Sequence, residues 1–240
     1  MKLYDETIKE LLESLQEKQP KKLDVSGSNW PDVGDRNLIL RSDMAYELGG
    51  GNLPGVSAMA VTCDENLVQS DSVYLLGPDL QDIKADTAYA KLVLVRLKED
   101  SIGEGNALYQ SVRKIEYVRY HVSPEGFMPR ISASSKREAV RVGKEALGKG
   151  LDFAKAGQLY LDKYHENPAV EAVMICFITD QGADFEKLAG YADKFEGITS
   201  AIDHIMKDVV MNCGACSLKE VCDEVEELRQ LHVKAREENN

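Results

Sequence analysis

Three cysteines late in the chain form the densest group of candidate metal ligands in the sequence. Their spacing is Cys213-x2-Cys216-x5-Cys222, within the stretch MNCGACSLKEVC. A C-x2-C pair places two thiolates on one side of a tight turn, close enough to share a metal or a cluster. A third thiolate about one helical turn later suits a cubane iron–sulfur cluster, and it also suits zinc if a fourth ligand is supplied. The spacing therefore predicts a metal centre, which is either an iron–sulfur cluster or a zinc site.

The fourth ligand is less clear from the sequence. His232 lies ten residues after Cys222, and the residues between them are good helix formers. On a continuous helix the two side chains would stand about 15 Å apart along the axis, which one metal cannot bridge. Cys63, which ends the apolar run SAMAVTC, is the better distant candidate; otherwise the position is open or taken by an exogenous ligand. Cys176 lies inside an apolar run and is predicted to be a core residue.

The overall charge limits the class of partner. The 240 residues carry a formal net charge of −12, and such a surface repels nucleic acid and anionic membranes. No apolar run reaches the roughly 18–20 residues of a transmembrane helix, and the amphipathic start of the chain does not resemble a signal peptide. The cytoplasm is the expected location, where clustered thiols serve metal or redox chemistry and not disulfides.

One zone of the chain reverses this charge. Between residues 111 and 150, nine lysines and arginines stand against four glutamates, a local charge of +5. Guanidinium groups suit phosphate because their N–H groups form two parallel hydrogen bonds. The zone predicts a small anionic ligand or an acidic partner, while a solvated helix face would explain the same charges. The candidate ligand-binding residues are Arg113, Arg119, Arg130, Arg137 and Arg141.

Periodicity predicts the elements that must position these residues. The predicted helices are Tyr4–Gln19, 106–121 with a short extended end, Ser134 or Ser135 to Leu147, 152–166 and 184–209. The predicted strands lie in NLILRSDMAYEL, GVSAMAVTCD, SVYLLGPDL, YAKLVLVRL and 169–180. This order indicates a mixed α/β or α+β fold, strand-rich in its N-terminal half and helix-rich in its C-terminal half. The predicted divisions are a helix and connector (1–35), an α/β domain (36–210), and the cysteine motif with a C-terminal helix (211–240).

Several stretches, taken in order, resemble the β subunit of the carbon monoxide dehydrogenase/acetyl-CoA synthase complex. They are AYELGG, SVYLLGPDLQDI, PRISASSKREA, VMICFITD and the C-x2-C pair followed by a further cysteine. Each is short, so the specificity lies in their order over roughly residues 45–222.

The resemblance implies a cofactor, a ligand and partners. It makes Cys213, Cys216 and Cys222 the first three ligands of a 4Fe-4S cubane, and it gives Arg130 a place in coenzyme A binding. The implied partners are carbon monoxide dehydrogenase/acetyl-CoA synthase or corrinoid protein subunits of anaerobic one-carbon metabolism, the Wood–Ljungdahl pathway.

The sequence also departs from the family pattern. The family's cubane ligands follow C-x2-C-x8-C-x9-C, whereas here the second gap is five residues and His232 stands ten residues after Cys222. The family's nickel-binding C-G-C tripeptide does not occur in these residues, so no nickel site is expected. One expectation is therefore a shortened, acetyl-CoA-synthase-β-like accessory protein for electron transfer or assembly. The alternatives are a catalytic portion of the synthase with nickel on another chain, and a zinc-stabilised structural protein.

Overall fold

A mixed α+β fold, as predicted, fills residues 2–102, 106–132, 136–206 and 216–231, which are the part of the chain that the computed structural model describes. The strands are β1 Lys21–Leu23, β2 Ala45–Leu48, β3 Gly55–Thr62, β4 Ser72–Leu76, β5 Tyr89–Leu97, β6 Phe127–Ile131, β7 Glu138–Gly143 and β8 Val170–Ile178. The helices are α1 Asp5–Lys18, α2 Asn106–Tyr117, α3 Lys144–Gly148, α4 Phe153–His165, α5 Phe185–Met206 and α6 Lys219–Glu224, and residues 226–231 are also helical.

The larger sheet has five strands in the order β1-β4-β8-β5-β3. The β3–β5 and β4–β8 pairs are parallel, whereas β5–β8 and β1–β4 are antiparallel. Strand β8 is central and almost wholly buried, as its continuous apolar run predicts. Cys176 lies within β8 with 1% of its surface exposed, which confirms the prediction of a core residue. Helix α4 packs on β4 and β8, and α5 packs on β3.

The smaller sheet has the order β2-β7-β6 and corrects one prediction from the sequence. The helix predicted from Ser134 or Ser135 to Leu147 is wrong, because residues 138–143 form β7 and only Lys144–Gly148 are helical. The stretch EAVRVG alternates between buried and half-buried positions, with Val140 and Val142 facing the core. That period of two, carried by β-branched side chains, is the pattern of a strand. Ser134 and Ser135 themselves lie outside the described residues.

Other predicted elements are matched closely by the structure. Helices α1 and α4 correspond to the predicted 4–19 and 152–166 helices, and α5 covers the predicted 184–209 helix as far as Met206. Strand β1 pairs with β4, so part of the predicted N-terminal connector joins the larger sheet; the domain boundaries stay predictions. None of the helices in the described part of the chain combines the length and apolar character needed to cross a membrane.

Candidate functional site

The cysteine segment is described from Cys216 onward, and Cys213 lies outside the described residues. Cys216 is half-buried and stands just before a turn, where its carbonyl accepts a hydrogen bond from the Lys219 amide at 3.2 Å. Cys222 is half-buried within α6. Helix α6 rests on α5, since a Cβ added at Gly197 would lie 3.2 Å from a methyl group of Val221. The two thiols therefore lie just before a turn and on the short helix that follows it, and this helix packs on α5.

The helix predicted to continue beyond Cys222 is interrupted. Val225 has φ −108° and ψ 103°, which is extended backbone, before helical structure resumes at 226–231. The distance of about 15 Å between Cys222 and His232 is the one expected for an unbroken helix. His232 lies outside the described residues, so its distance from the cysteines stays a prediction.

Cys63 occupies the position directly after β3 and is half-buried. Burial raises the pKa of its thiol. Among the residues that the structure describes, no three His, Cys, Asp or Glu side chains come together in a way that could hold a metal. Cys63, Cys216 and Cys222 thus do not form one group of three, and the complete ligand set, which includes Cys213, stays a prediction.

The five candidate arginines divide into two groups. Arg113 and Arg119 surround Glu116 at the end of α2: Arg113 forms an ion pair with that carboxylate, and an Arg119 Nη1 atom lies 3.8 Å from it. Arg119 is 3% exposed, and its Nη2 donates to Ser57 Oγ at 2.5 Å. This guanidinium therefore lies in the protein interior and not at the surface.

The other three arginines meet beside the loop that follows β2. Glu47 accepts a 2.6 Å hydrogen bond from Arg141 Nε and also forms an ion pair with Arg130. Arg137 Nη2 donates to the carbonyl of Gly51 at 2.8 Å. We call this set the arginine site: Glu47, Gly51, Arg130, Arg137 and Arg141.

The glycines of the ELGGG stretch let this loop lie against β7. Gly49 has φ +63°, and a Cβ there would lie 2.7 Å from Gly55 Cα and 2.8 Å from the Glu138 carbonyl oxygen. A side chain at position 49 would therefore be strained in its backbone and blocked by main-chain atoms. No local pattern in the sequence indicates this contact between the loop and the basic zone, because it depends on the pairing of β7 with β2.

A groove of about 490 Å³ adjoins the arginine site. Ile39 links the two, since it lines the groove and its carbonyl accepts a 2.5 Å hydrogen bond from Arg141 Nη1. Leu38 and Met44 add apolar lining, and the charged lining residues balance, since Arg36 and Lys149 stand with Glu125 and Glu145. A groove of this size, with apolar walls and a few charged groups, has the dimensions of a small-molecule site.

The family model for the CO dehydrogenase/acetyl-CoA synthase complex beta subunit matches residues 32–183, more than half of the chain. The chain belongs to this family. The matched span holds both sheets apart from β1, together with the arginine site and the groove-lining residues. The cysteines from Cys213 to Cys222 follow the matched span. Among curated proteins, none matches the chain.

The stretches that suggested this β-subunit family meet one another in the structure. AYELGG and PRIS face each other through the ion pair of Glu47 with Arg130. GPDL meets ITD, because Thr179 Oγ1 donates to the Pro78 carbonyl at 2.6 Å. A Cβ at Gly77, which has φ +106°, would lie 2.3 Å from the Asp180 nitrogen. Four of the five stretches are therefore joined in two packing contacts.

A buried polar network lies between the two sheets of this β-subunit family member. Lys91 Nζ donates to Glu138 Oε1 and to the Tyr160 hydroxyl, both at 2.8 Å. Ser57 Oγ donates to Glu138 Oε2 at 2.7 Å, and it accepts from Arg119. Burial lowers the pKa of Lys91, and Glu138 opposes that shift. The sequence held one signal of this network, a lysine inside the apolar run YAKLVLVRL.

Proposed function

We propose that this β-subunit family member is an iron–sulfur protein that acts as an accessory component for electron transfer or assembly in CO/acetyl-CoA metabolism. The observation that carries the proposal is the family match over residues 32–183, followed by three closely spaced thiols. Its partners are subunits of the CO dehydrogenase/acetyl-CoA synthase complex or a corrinoid protein. Its strongly negative charge argues against nucleic acid and anionic membrane surfaces as partners.

Cys213, Cys216 and Cys222 are the proposed cluster ligands. The donor set consists of thiols alone, which suits iron–sulfur clusters and zinc. The two described members are half-buried, so a cluster there would be partly shielded and still open to a redox partner. A bound 4Fe-4S cluster supplies one-electron transfer. Cys63 is the candidate for a fourth ligand; otherwise the position is open or taken by an exogenous ligand.

Nickel chemistry is not assigned to these residues. The C-G-C tripeptide that the resemblance associates with nickel does not occur among the 240 residues. The alternative function, a catalytic portion of a CO-methylating acetyl-CoA synthase, therefore needs a nickel site on another chain. The second alternative, a zinc-stabilised structural protein, uses the same three thiols.

The arginine site is the proposed binding position for a CoA-type ligand. Its three guanidinium groups and one carboxylate leave a net charge of +2, which suits the phosphates of such a ligand. Arg130 has 43% of its side chain exposed and is accessible. The adjoining groove has room for the apolar part of the ligand. Arg113 and Arg119 receive no ligand contact in this proposal, because they surround Glu116.

Metal analysis of anaerobically purified protein tests the cluster. We expect iron and acid-labile sulfide in the wild type, and the loss of both, with the visible absorbance, in Cys216→Ser. Ser217→Ala, a change at the neighbouring exposed position, is the matched control and should keep them. Unchanged iron in Cys216→Ser would refute the ligand assignment.

The metal content and the exchange activity of the protein distinguish the two alternative functions. Zinc in place of iron would favour the structural protein. Nickel together with carbon monoxide/acetyl-CoA exchange activity would favour the catalytic portion. Loss of iron in Cys63→Ser would make Cys63 the fourth ligand.

Calorimetric titration with CoA tests the arginine site. Arg130→Ala should bind CoA at least about tenfold more weakly, because a charged hydrogen bond contributes about 1.5–3 kcal/mol. Binding to the wild type should also weaken as salt rises, since exposed charges are screened. Lys114→Ala removes an exposed charge of the same basic zone and should leave the affinity unchanged. Equal losses in both variants would indicate general attraction and no specific site.

A further inference from the structure

We propose that Glu47 sets the anion preference of the arginine site, by holding two of its three guanidinium groups so that a phosphate group can bind and a monocarboxylate cannot. This inference rests on the proposed function, since it concerns the same site. The proposed function assigns ligand binding to the arginines, whereas this inference assigns the choice between anions to the acidic residue among them.

The Glu47 carboxylate lies between Arg130 and Arg141, where a bound anion would contact the same two guanidinium groups. Its two carboxylate oxygens are divided between the guanidinium groups, one directed to Arg141 Nε and the other to Arg130. In the sheet Glu47 lies directly opposite Arg141, so the strand register fixes the carboxylate there. A free carboxylate offers the arginines the same charge and the same two oxygens. At the N–H groups that Glu47 already occupies it would gain no new contact, and it would have to displace a group held at high effective concentration. At the outward N–H groups its single negative charge would match only half of the +2 charge of the site.

A phosphate group meets different conditions. Arg130 is 43% exposed on its side chain, against 17% for Arg141 and 19% for Glu47, so Arg130 can present N–H groups outward while it remains paired. Arg137 is exposed beside it, bonded to the carbonyl of Gly51. The site keeps a net charge of +2 with Glu47 in place, and a phosphate dianion matches that charge without removing the glutamate.

Gly50 leaves space beside Glu47 and Arg130 of the arginine site. A Cβ at position 50 would lie 3.0 Å from Glu47 Oε2 and 3.6 Å from Arg130 Nη2. Because Gly50 does not have a positive φ, its backbone would accept another residue, and the constraint comes from the two charged side chains. A larger residue would cover the Glu47 oxygen that faces Arg130.

Pyrophosphate titration of the full chain tests the inference. We expect Glu47→Gln to bind pyrophosphate at least tenfold more tightly than the wild type, because the net charge of the site rises from +2 to +3 and the arginine N–H groups are held less strongly by a neutral side chain. Acetate should compete with pyrophosphate in Glu47→Gln and have no effect in the wild type, each compared with sodium chloride at the same ionic strength. Asp86→Asn is the charge-matched control, because Asp86 accepts a hydrogen bond from the Glu47 amide at 2.8 Å without contacting the arginines through an ion pair.

Each outcome decides a separate point. Tighter binding in Glu47→Gln alone supports the inference, whereas equal tightening in Asp86→Asn overturns it in favour of general electrostatics. Equal or weaker binding in Glu47→Gln overturns it and leaves the phosphate site standing. Absence of pyrophosphate binding in every form overturns the phosphate site together with the inference. Glu47→Asp, which retains the charge on a shorter side chain, covers the case in which Glu47→Gln does not fold and should bind pyrophosphate more tightly than the wild type.

Discussion

Two buried tyrosines on α4 show how much a single hydroxyl group matters. Tyr160 and Tyr164 are each fully buried and lie one helical turn apart. The Tyr160 hydroxyl accepts a hydrogen bond from Lys91, whereas the Tyr164 hydroxyl has no hydrogen-bond partner among the described residues. Removing the same atom at the two positions should therefore have opposite consequences.

Tyr160→Phe should lower the free energy of unfolding by about 1.5–3 kcal/mol, since it removes a hydrogen bond to a buried ammonium group. Tyr164→Phe should leave it unchanged or raise it by about 1 kcal/mol, because it removes a buried group that makes no hydrogen bond. Urea unfolding at pH 7 measures both changes. Equal losses would show that the Tyr164 hydroxyl has a water partner.

For single residues, the sequence predicts whether a side chain is buried better than it predicts which side chains it contacts. Cys176 could be assigned to the core because its neighbours in the chain are all apolar. The separation of Arg119 from Arg130 could not be predicted, because it depends on Ser57 and Glu47, which are distant in the sequence. Charge counting along the chain gave one basic zone, and folding divided it between the interior and the surface.

Among the elements, the turn after β4 lies against the residues that follow the end of β8. Both the Thr179 and Asp180 amides donate to the Leu76 carbonyl, at 2.9 and 3.1 Å. Gly77 lies within this contact and has a positive φ. The structure therefore needs glycine at position 77 for two reasons, backbone conformation and space.

Gly77→Ala should lower the free energy of unfolding by about 1–3 kcal/mol, the range for strained backbone and overpacked positions. Gly148→Ala is the matched control, since Gly148 ends α3 without a positive φ and a Cβ there meets no atom within 4 Å. Alanine at position 148 should be neutral or stabilise by up to about 1 kcal/mol. Thermal unfolding followed by circular dichroism would compare them, and a stable Gly77→Ala would contradict the packing described for this turn.

The elements that the sequence predicted well are those with uninterrupted periodicity. Helix α4 and strand β8 have one pattern from end to end, so local propensity and burial agree. Strand β7 was missed because EAVRVG leads directly into KEALG, a good helix former, and the two patterns merge. The pairing of β7 with both β2 and β6 decides the outcome, and such pairing is a tertiary effect that a local pattern does not contain.

Across the whole molecule, buried acidic groups with high pKa values govern the response to alkaline pH. Burial raises the pKa of Cys176 to about 12, from an ordinary value of 9.0. Burial also raises the pKa of four tyrosines above the ordinary value of 10.0; they are Tyr4, Tyr89, Tyr160 and Tyr164. In the unfolded chain these groups lose protons that the folded protein retains.

Stability should therefore be fully present below about pH 9 and fall as pH rises beyond it, because the unfolded state then binds fewer protons. Each group contributes up to about 1.4 kcal/mol per pH unit above its unfolded pKa. The pKa of Lys91 is lowered, so this group makes stability rise with pH below pH 10.5. Its effect is smaller than the combined effect of the four tyrosines. Urea unfolding from pH 8 to 11 would measure the slope, and Tyr164→Phe should make it shallower by one proton. A constant free energy of unfolding over this range would contradict the burial of these groups.

The position of β8 also has a consequence for how the chain is made. Strands β3 and β5 pair with each other, as do β1 and β4, and β8 alone joins the two pairs. It is also the last of the five strands to leave the ribosome. Until residues 170–178 emerge, β4 and β5 each present an open edge, and open edges invite pairing with other chains. A nascent chain that pauses before β8 therefore exposes two strand edges that the finished sheet covers, and synthesis of residues 170–178 supplies the strand that pairs with both.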